Sequence, residues 1–221
     1  MKLGLVGSGT IGKAVATFAV ATGHQAMLSN SRGPSTLTNL AASIGCEAGT
    51  VDEAAAYGDV VVVAVPFNKL GDLNPNLFKN KIVIDANNYT VASCGPNPEI
   101  NERRNTTTGI FRRLFPDARI VKAFNTIFSS DLVPGKQILP DGKTRALPVS
   151  GDDAEAKTVV SRLIRDFGYD VVDAGSIDDS WRLEIGKPAS GLRIDADDLK
   201  AAIADAERDV DVPFFSWKRS N

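Results

Sequence analysis

Six residues near the start of the chain, Gly7-Ser8-Gly9-Thr10-Ile11-Gly12, have the composition and spacing to hold a pyrophosphate, and Asn30-Ser31-Arg32 has the chemistry to choose which one. Each glycine has its own task in such a loop: Gly7 for a tight turn, Gly9 for close approach of the backbone to a pyrophosphate, Gly12 for packing helix on strand. Amides at the start of the next helix favour an anion, with Ser8, Thr10 and Ile11 placed to reach it. An Asp or Glu at the position of Asn30 would accept from a ribose hydroxyl and repel a 2′-phosphate. This chain offers instead a neutral amide, the Ser31 hydroxyl and the Arg32 guanidinium, a set suited to a phosphate dianion. The pattern points to NADP rather than NAD. A glycine loop alone is a weak signal, and an arginine before Gly-Pro is often only a solvated charge; their coincidence favours binding.

The elements needed to position these residues are legible. Leu3, Leu5 and Val6 suit a short buried strand over Lys2 to Val6, and Ile11, Ala14, Val15, Phe18 and Ala19 recur at helical steps until Gly23. A second strand over Gln25 to Ser29 delivers Asn30. Pro34-Ser35 opens a helix stopped by Gly45, and Val51-Asp52-Glu53 opens a short one stopped by Gly58. The valines from Asp59 to Val65 predict a fully buried central strand. Further strands are expected at 81–85, 119–123, 146–149 and 169–173, with a helix over 152–167 and a long irregular loop over 90–108. The alternation predicts an α/β fold, a doubly wound parallel sheet of Rossmann type over residues 1–175, with a small C-terminal annex over 176–221.

Ligands of such sheets sit beyond the carboxyl ends of the strands, so four strand endings matter most. Val65-Pro66 turns the backbone across the cofactor; Asp85-Ala86-Asn87-Asn88-Tyr89 supplies amides for a ribose or nicotinamide. Lys122-Ala123-Phe124-Asn125-Thr126 supplies neutral donors, and Ser150-Gly151-Asp152 reads equally as a helix cap. Asn is common in turns for its own local reasons, but convergence of several such endings on one edge favours a site.

Composition narrows the class. A formal net charge of -2 over 221 residues, with no basic stripe, argues against a nucleic-acid surface. The first strand begins at residue 2, leaving no room for a leader, and no apolar stretch is long enough for a membrane span, so a cytoplasmic protein is expected. Cys46 and Cys94 suit reduced thiols, and a single histidine, His24, in a Gly-His turn argues against a metal cluster or a Ser-His triad.

Together these motifs resemble the coenzyme F420-dependent NADP oxidoreductase family. The resemblance runs from Lys2 to about Gly175 and is carried by the glycine loop, Asn30-Ser31-Arg32-Gly33-Pro34, Ala64-Val65-Pro66, Val121-Lys122-Ala123-Phe124-Asn125-Thr126 and Ser150-Gly151-Asp152-Asp153-Ala154. It implies that Ser31 and Arg32 bind the 2′-phosphate, that Pro66 and Asn88 border the nicotinamide half, and that Phe124 and Asn125 face the acceptor. It also implies coenzyme F420, or a flavin, as second substrate. Asn87-Asn88-Tyr89 stands where that family commonly has Thr-Asn-Pro, and the tail from Trp181 is similar to a subgroup of predicted dinucleotide-binding proteins.

In the annex, Leu199, Ile203, Ala206 and Val210 form a helical stripe after Asp195, ended by Pro213. Phe214, Phe215 and Trp217 must be covered, by the chain's own core or across a homodimer. Trp181, Arg182 and Lys187 are candidates for the acceptor pocket or, equally, surface charges. The reading is an NADP(H)-dependent oxidoreductase passing hydride to a flat small-molecule acceptor, which needs proximity and orientation more than an acid-base pair. A non-catalytic NADP-binding regulatory protein is the alternative. A β-hydroxyacid dehydrogenase is excluded, because the chain after Asn125 cannot supply a long all-helical second domain.

Overall fold

Four consecutive valines stand at the centre of the molecule. In the computed structural model, which describes residues 1–218, they form strand β4 (Val60–Val63), with all four side chains buried. Val60 and Val62 join Leu3, Leu5, Phe18 and Leu28 on one side; Val61 and Val63 join Val6, Phe78, Val83 and Phe111 on the other. A strand buried on both faces has no reason to alternate in polarity, hence the unbroken run.

Around β4 lie β1 (Lys2–Val6), β2 (Gln25–Ser29), β3 (Glu47–Gly49), β5 (Ile82–Asp85) and β6 (Arg119–Lys122). They form one parallel sheet in the order β3-β2-β1-β4-β5-β6. Helix α1 (Thr10–Ala21) lays Val15, Phe18 and Ala19 on one face of the sheet. Helix α2 (Thr38–Ile44) follows a 3-10 turn at Pro34–Leu37 and ends on Gly45, which takes the left-handed conformation. Helix α3 (Val51–Tyr57) starts with a capping box, Thr50 exchanging bonds with Glu53, and packs Ala55 on the opposite face. His24 is a turn residue, its Nδ1 3.2 Å from the Met1 amine and its Nε2 3.3 Å from Asp166.

One strand is added and three expectations are corrected. The three residues of β3 add an edge strand that carries no readable pattern. The segment 90–108 is not one irregular loop: it contains α4 (Val91–Cys94) and α5 (Pro98–Asn101) and runs into α6 (Thr107–Leu114), each opened by a Thr or Asn cap. Strands β7 (Ala146–Val149) and β8 (Asp170–Asp173) do not extend the main sheet. They pair in parallel with each other, and the link to the main sheet is an antiparallel bridge between Lys122 and Ser150. Helix α7 (Ala154–Asp166) joins them and buries Ala156, Val160, Leu163 and Ile164.

The third correction concerns the tail. Helix α8 (Ala196–Ala204) stops well before Pro213, so Val210 falls outside its stripe and is exposed. Arg182 fixes that end, its Nη1 donating to the carbonyls of Ile203 and Ala206 at 3.1 Å. Leu199 and Ile203 pack with Leu183 against Ala146 and Val172, so the tail covers the small sheet. Phe214 and Phe215 lean on Phe128 yet remain well exposed. Among the described residues no helix is long and apolar enough to cross a membrane.

Candidate functional site

The strand order reverses direction between β1 and β4, and a cleft of about 730 Å³ opens there at the carboxyl ends of the strands. Gly7, Ser8, Gly9, Asn30, Ser31 and Arg32 line it, as do Val65 and Pro66. The loop holds its shape through Gly7, at φ +113° with its amide donating to Ser29 O at 3.1 Å. A Cβ on Gly12 would lie 1.9 Å from Gly7 O, so this close approach excludes any side chain. At Gly9 a Cβ would meet no atom of the protein within 4 Å, so the space above it is open. Helix α1 has neither a side-chain cap nor an acid in its first turn, which leaves its leading amides to an anion.

At the end of β2, Asn30 acts as a brace. Its Oδ1 accepts from the amide of Arg32 at 2.9 Å, and its Nδ2 donates to Thr36 Oγ1 at 3.0 Å and to Ser8 Oγ at 3.4 Å. The side chain therefore ties the glycine loop to the turn that carries Ser31 and Arg32. Arg32 is exposed and forms no ion pair among the described residues. Lys69 lines the same cleft, which also carries Asp52 and Asp72; the Lys69 ammonium lies 3.4 Å from Asp72. The open glycine loop, the uncapped helix and the free guanidinium fit the pyrophosphate and 2′-phosphate of NADP.

The far wall is set by a buried network. Lys122 and Asp85, at matching positions in β6 and β5, form an ion pair of 3.0 Å. Asp85 Oδ2 also accepts from Thr108 Oγ1 at 2.8 Å, while its Oδ1 accepts from the amide and the side chain of Asn87. Asn87 Oδ1 in turn accepts from the amide of Val65 at 3.1 Å. Two charges that sequence reading passed over thus hold the Val65-Pro66 turn in place. Opposite charges ending two buried strands were the available signal.

Asn88 and Asn125 come together: Asn88 Nδ2 donates to Asn125 O at 2.7 Å, and Asn125 Nδ2 donates to Leu183 O at 2.6 Å. Asn125 Oδ1 is buried without a partner in a small notch of about 60 Å³. Phe124 does not join them. At φ +62° it is turned inward, 1% exposed and 6.1 Å from Phe167, so its ring belongs to the core and not to an acceptor surface. Ser150 is likewise buried, its hydroxyl bonded to Ser176 O, and Asp153 rather than Asp152 caps α7.

A second cleft, of about 300 Å³, lies beyond Asn88, with Tyr89, Arg103, Glu184 and Lys187 among its walls. Of the three tail candidates only Lys187 lines it, and its ammonium is taken up by the carbonyls of Glu207, Arg208 and Val210 and by Asp211. Trp181 lies beneath the cations of Arg182, Lys187 and Arg208. Glu184 accepts from the amide of Thr107 at 2.7 Å, and burial pushes its carboxyl above the ordinary glutamate range. No group of three or more metal-ligating side chains occurs among the described residues, and Cys46 and Cys94 are free.

Sheet order, glycine turn and cleft define a protein of the Rossmann-type dinucleotide-binding fold. Residues 2–89 match the model of the family described as NADP oxidoreductase, coenzyme F420-dependent. Over 186 residues the chain is 31% identical to metalloreductase STEAP3 of Rattus norvegicus, a match covering 83% of this chain and 36% of that one. The chain thus spans about a third of the length of the curated relatives it matches. Among solved structures, a hypothetical protein from Sinorhizobium meliloti superposes with a TM-score of 0.76 at 28% identity, covering 88% of this chain and 94% of that one. A candidate F420-dependent NADP reductase from Arthrobacter sp. FB24 gives a TM-score of 0.68 at 27% identity, covering 80% and 86%.

Proposed function

We propose that the protein is an NADPH-dependent oxidoreductase that passes hydride between the nicotinamide and a flat organic acceptor, a deazaflavin or flavin, seated beside Asn88. The observation that carries this reading is the unpaired Arg32 at the end of β2, in the same cleft as the open glycine loop. Ser31 and Arg32 hold the 2′-phosphate, Gly7 to Gly12 the pyrophosphate, and Val65, Pro66 and Asn88 the nicotinamide half. The bound nicotinamide supplies hydride chemistry; the residues of this chain supply orientation. The Asp85–Asn87–Val65 bonds fix one wall against the other, which is the main requirement of transfer between two rings.

A second reading rests on the 31% identity to metalloreductase STEAP3 and sends the electrons on to a ferric chelate. Following NADPH absorbance with purified protein and a panel of deazaflavin, FMN, quinone and ferric chelate separates the two. Turnover with a deazaflavin or flavin alone supports the first reading. Ferric reduction that requires added flavin supports the second, and tight NADPH binding without turnover on any acceptor overturns both in favour of a binding protein.

A further inference from the structure

Glu184 is a carboxyl group in a cleft with no ion-pair partner among the described residues. Two bonds hold it still. Its Oε1 accepts from Thr107 N at the start of α6, and the carbonyl of the preceding Leu183 accepts from Asn125 Nδ2. Asn125 also accepts, through its main chain, from Asn88. Asn88 and Glu184 are therefore anchored to the same residue and line the same cleft of about 300 Å³.

The nearby positive charges are bonded to other groups, and burial outweighs the downward pull of Lys122 and Lys187 on the carboxyl. Lys122 on β6 is bonded to Asp85 and Asn87 O, and Lys187 to Asp211 and three carbonyls. The remaining charged groups of the cleft are Arg103 after α5, which pairs with Asp211, and Arg208, which lies over Trp181. Half-buried and unpaired, the Glu184 carboxyl keeps its proton above the pH at which an ordinary glutamate loses it.

We infer that Glu184 is the proton donor for the acceptor, and that the acceptor is an organic two-electron acceptor whose reduced form carries a proton on oxygen or nitrogen. This inference rests on the hydride-transfer reading. The reduced nicotinamide is the source of the hydride and its electron pair, which form a new bond on the acceptor. The Glu184 O–H bond breaks, its proton bonds to the acceptor heteroatom that gains electron density, and the carboxylate regains a proton from water. The acceptor thus gains one hydride and one proton, and NADPH leaves as NADP⁺.

The test compares wild type, Glu184→Gln and Glu184→Asp with NADPH and, in turn, deazaflavin, FMN and a quinone. In wild type, kcat/KM holds steady at low pH and falls tenfold per unit above the carboxyl's pKa. Glu184→Gln, which keeps an acceptor for Thr107 N, lowers kcat by about 100- to 10,000-fold, loses that limb and leaves NADPH affinity unchanged. Glu184→Asp restores the limb in part.

A readout independent of turnover comes from 13C-glutamate NMR of the protein without ligands, where the signal missing from Glu184→Gln titrates above the ordinary range. Wild-type rates and pH profile in Glu184→Gln, or a Glu184 signal titrating in the ordinary range, overturn the proposal alone. Absence of NADPH turnover with every organic acceptor, or turnover confined to ferric chelates, which take an electron and no proton, overturns the hydride-transfer reading together with it.

Discussion

Lys122 and Asp85 form a 3.0 Å ion pair between the ends of adjacent strands, and both side chains are buried. Removing one partner strands the other charge in the interior, whereas the intact pair is satisfied by Asn87 and Thr108. Lys122→Met or Asp85→Asn is expected to cost about 3–5 kcal/mol in urea unfolding. The double variant should cost less than the sum of the two, and additivity would show that the pair is not coupled.

The glycines of the loop separate binding from folding. Gly9→Ala introduces a Cβ with no protein atom within 4 Å, so its unfolding midpoint should match wild type while NADPH affinity falls at least tenfold. Gly12→Ala drives a Cβ to 1.9 Å from Gly7 O and should lower the melting temperature itself. Calorimetric unfolding beside a fluorescence titration reads both, and equal stability losses would contradict the assigned roles.

Arg32 carries no ion pair among the described residues, so its removal costs the fold little. Charge-assisted hydrogen bonds contribute about 1.5–3 kcal/mol, so Arg32→Ala should weaken NADPH binding by roughly 10- to 100-fold. NADH affinity should stay within about twofold. Isothermal titration with both nucleotides checks this, and an equal loss for the two would remove the 2′-phosphate from Arg32.

Asp153 links charge to acid stability. The hydrogen bond from Arg119, with the amide of Ala156 and the guanidinium charge, holds its carboxyl at about 2, below its ordinary 3.8. The unfolded chain therefore takes up this proton first as pH falls. The stabilisation is complete above the ordinary carboxyl range and disappears as pH drops through about 2. Asp153→Asn, which can still cap α7, should flatten the acid slope of stability between about pH 4 and 2. Asp153→Ala should lose about 1 kcal/mol more through the cap. Urea midpoints at pH 7, 4 and 3 measure both effects.

What sequence reading captured was local, and what it missed was pairing over distance. The glycine loop, the valine strand and the helix boundaries at Val51 and Gly45 announce themselves within a few residues of chain. Strands β7 and β8 were equally visible as strands, but nothing in Ala146–Val149 says which edge it joins. Lys122 and Asp85 are 37 residues apart, and only the register of β5 on β6 brings them together. The family resemblance implied an acceptor-facing Phe124; a left-handed backbone at that one residue turns the ring away. Glu184 sits just past a 3-10 turn with no motif around it, so neither periodicity nor spacing marks it.

The antiparallel bridge at Lys122 and Ser150 also has an architectural meaning. The ladder of six strands is complete at β6, and the smaller sheet joins its edge by that bridge alone among strand pairings of the described residues, while Leu147, Val149 and Phe167 share the core of the large one. Changes in the tail, which supplies Glu184, Lys187, Arg208 and Asp211, can reshape the second cleft without breaking a rung of the large ladder. One nucleotide-holding frame is thereby compatible with many tails, and chains that share this frame need not share an electron acceptor.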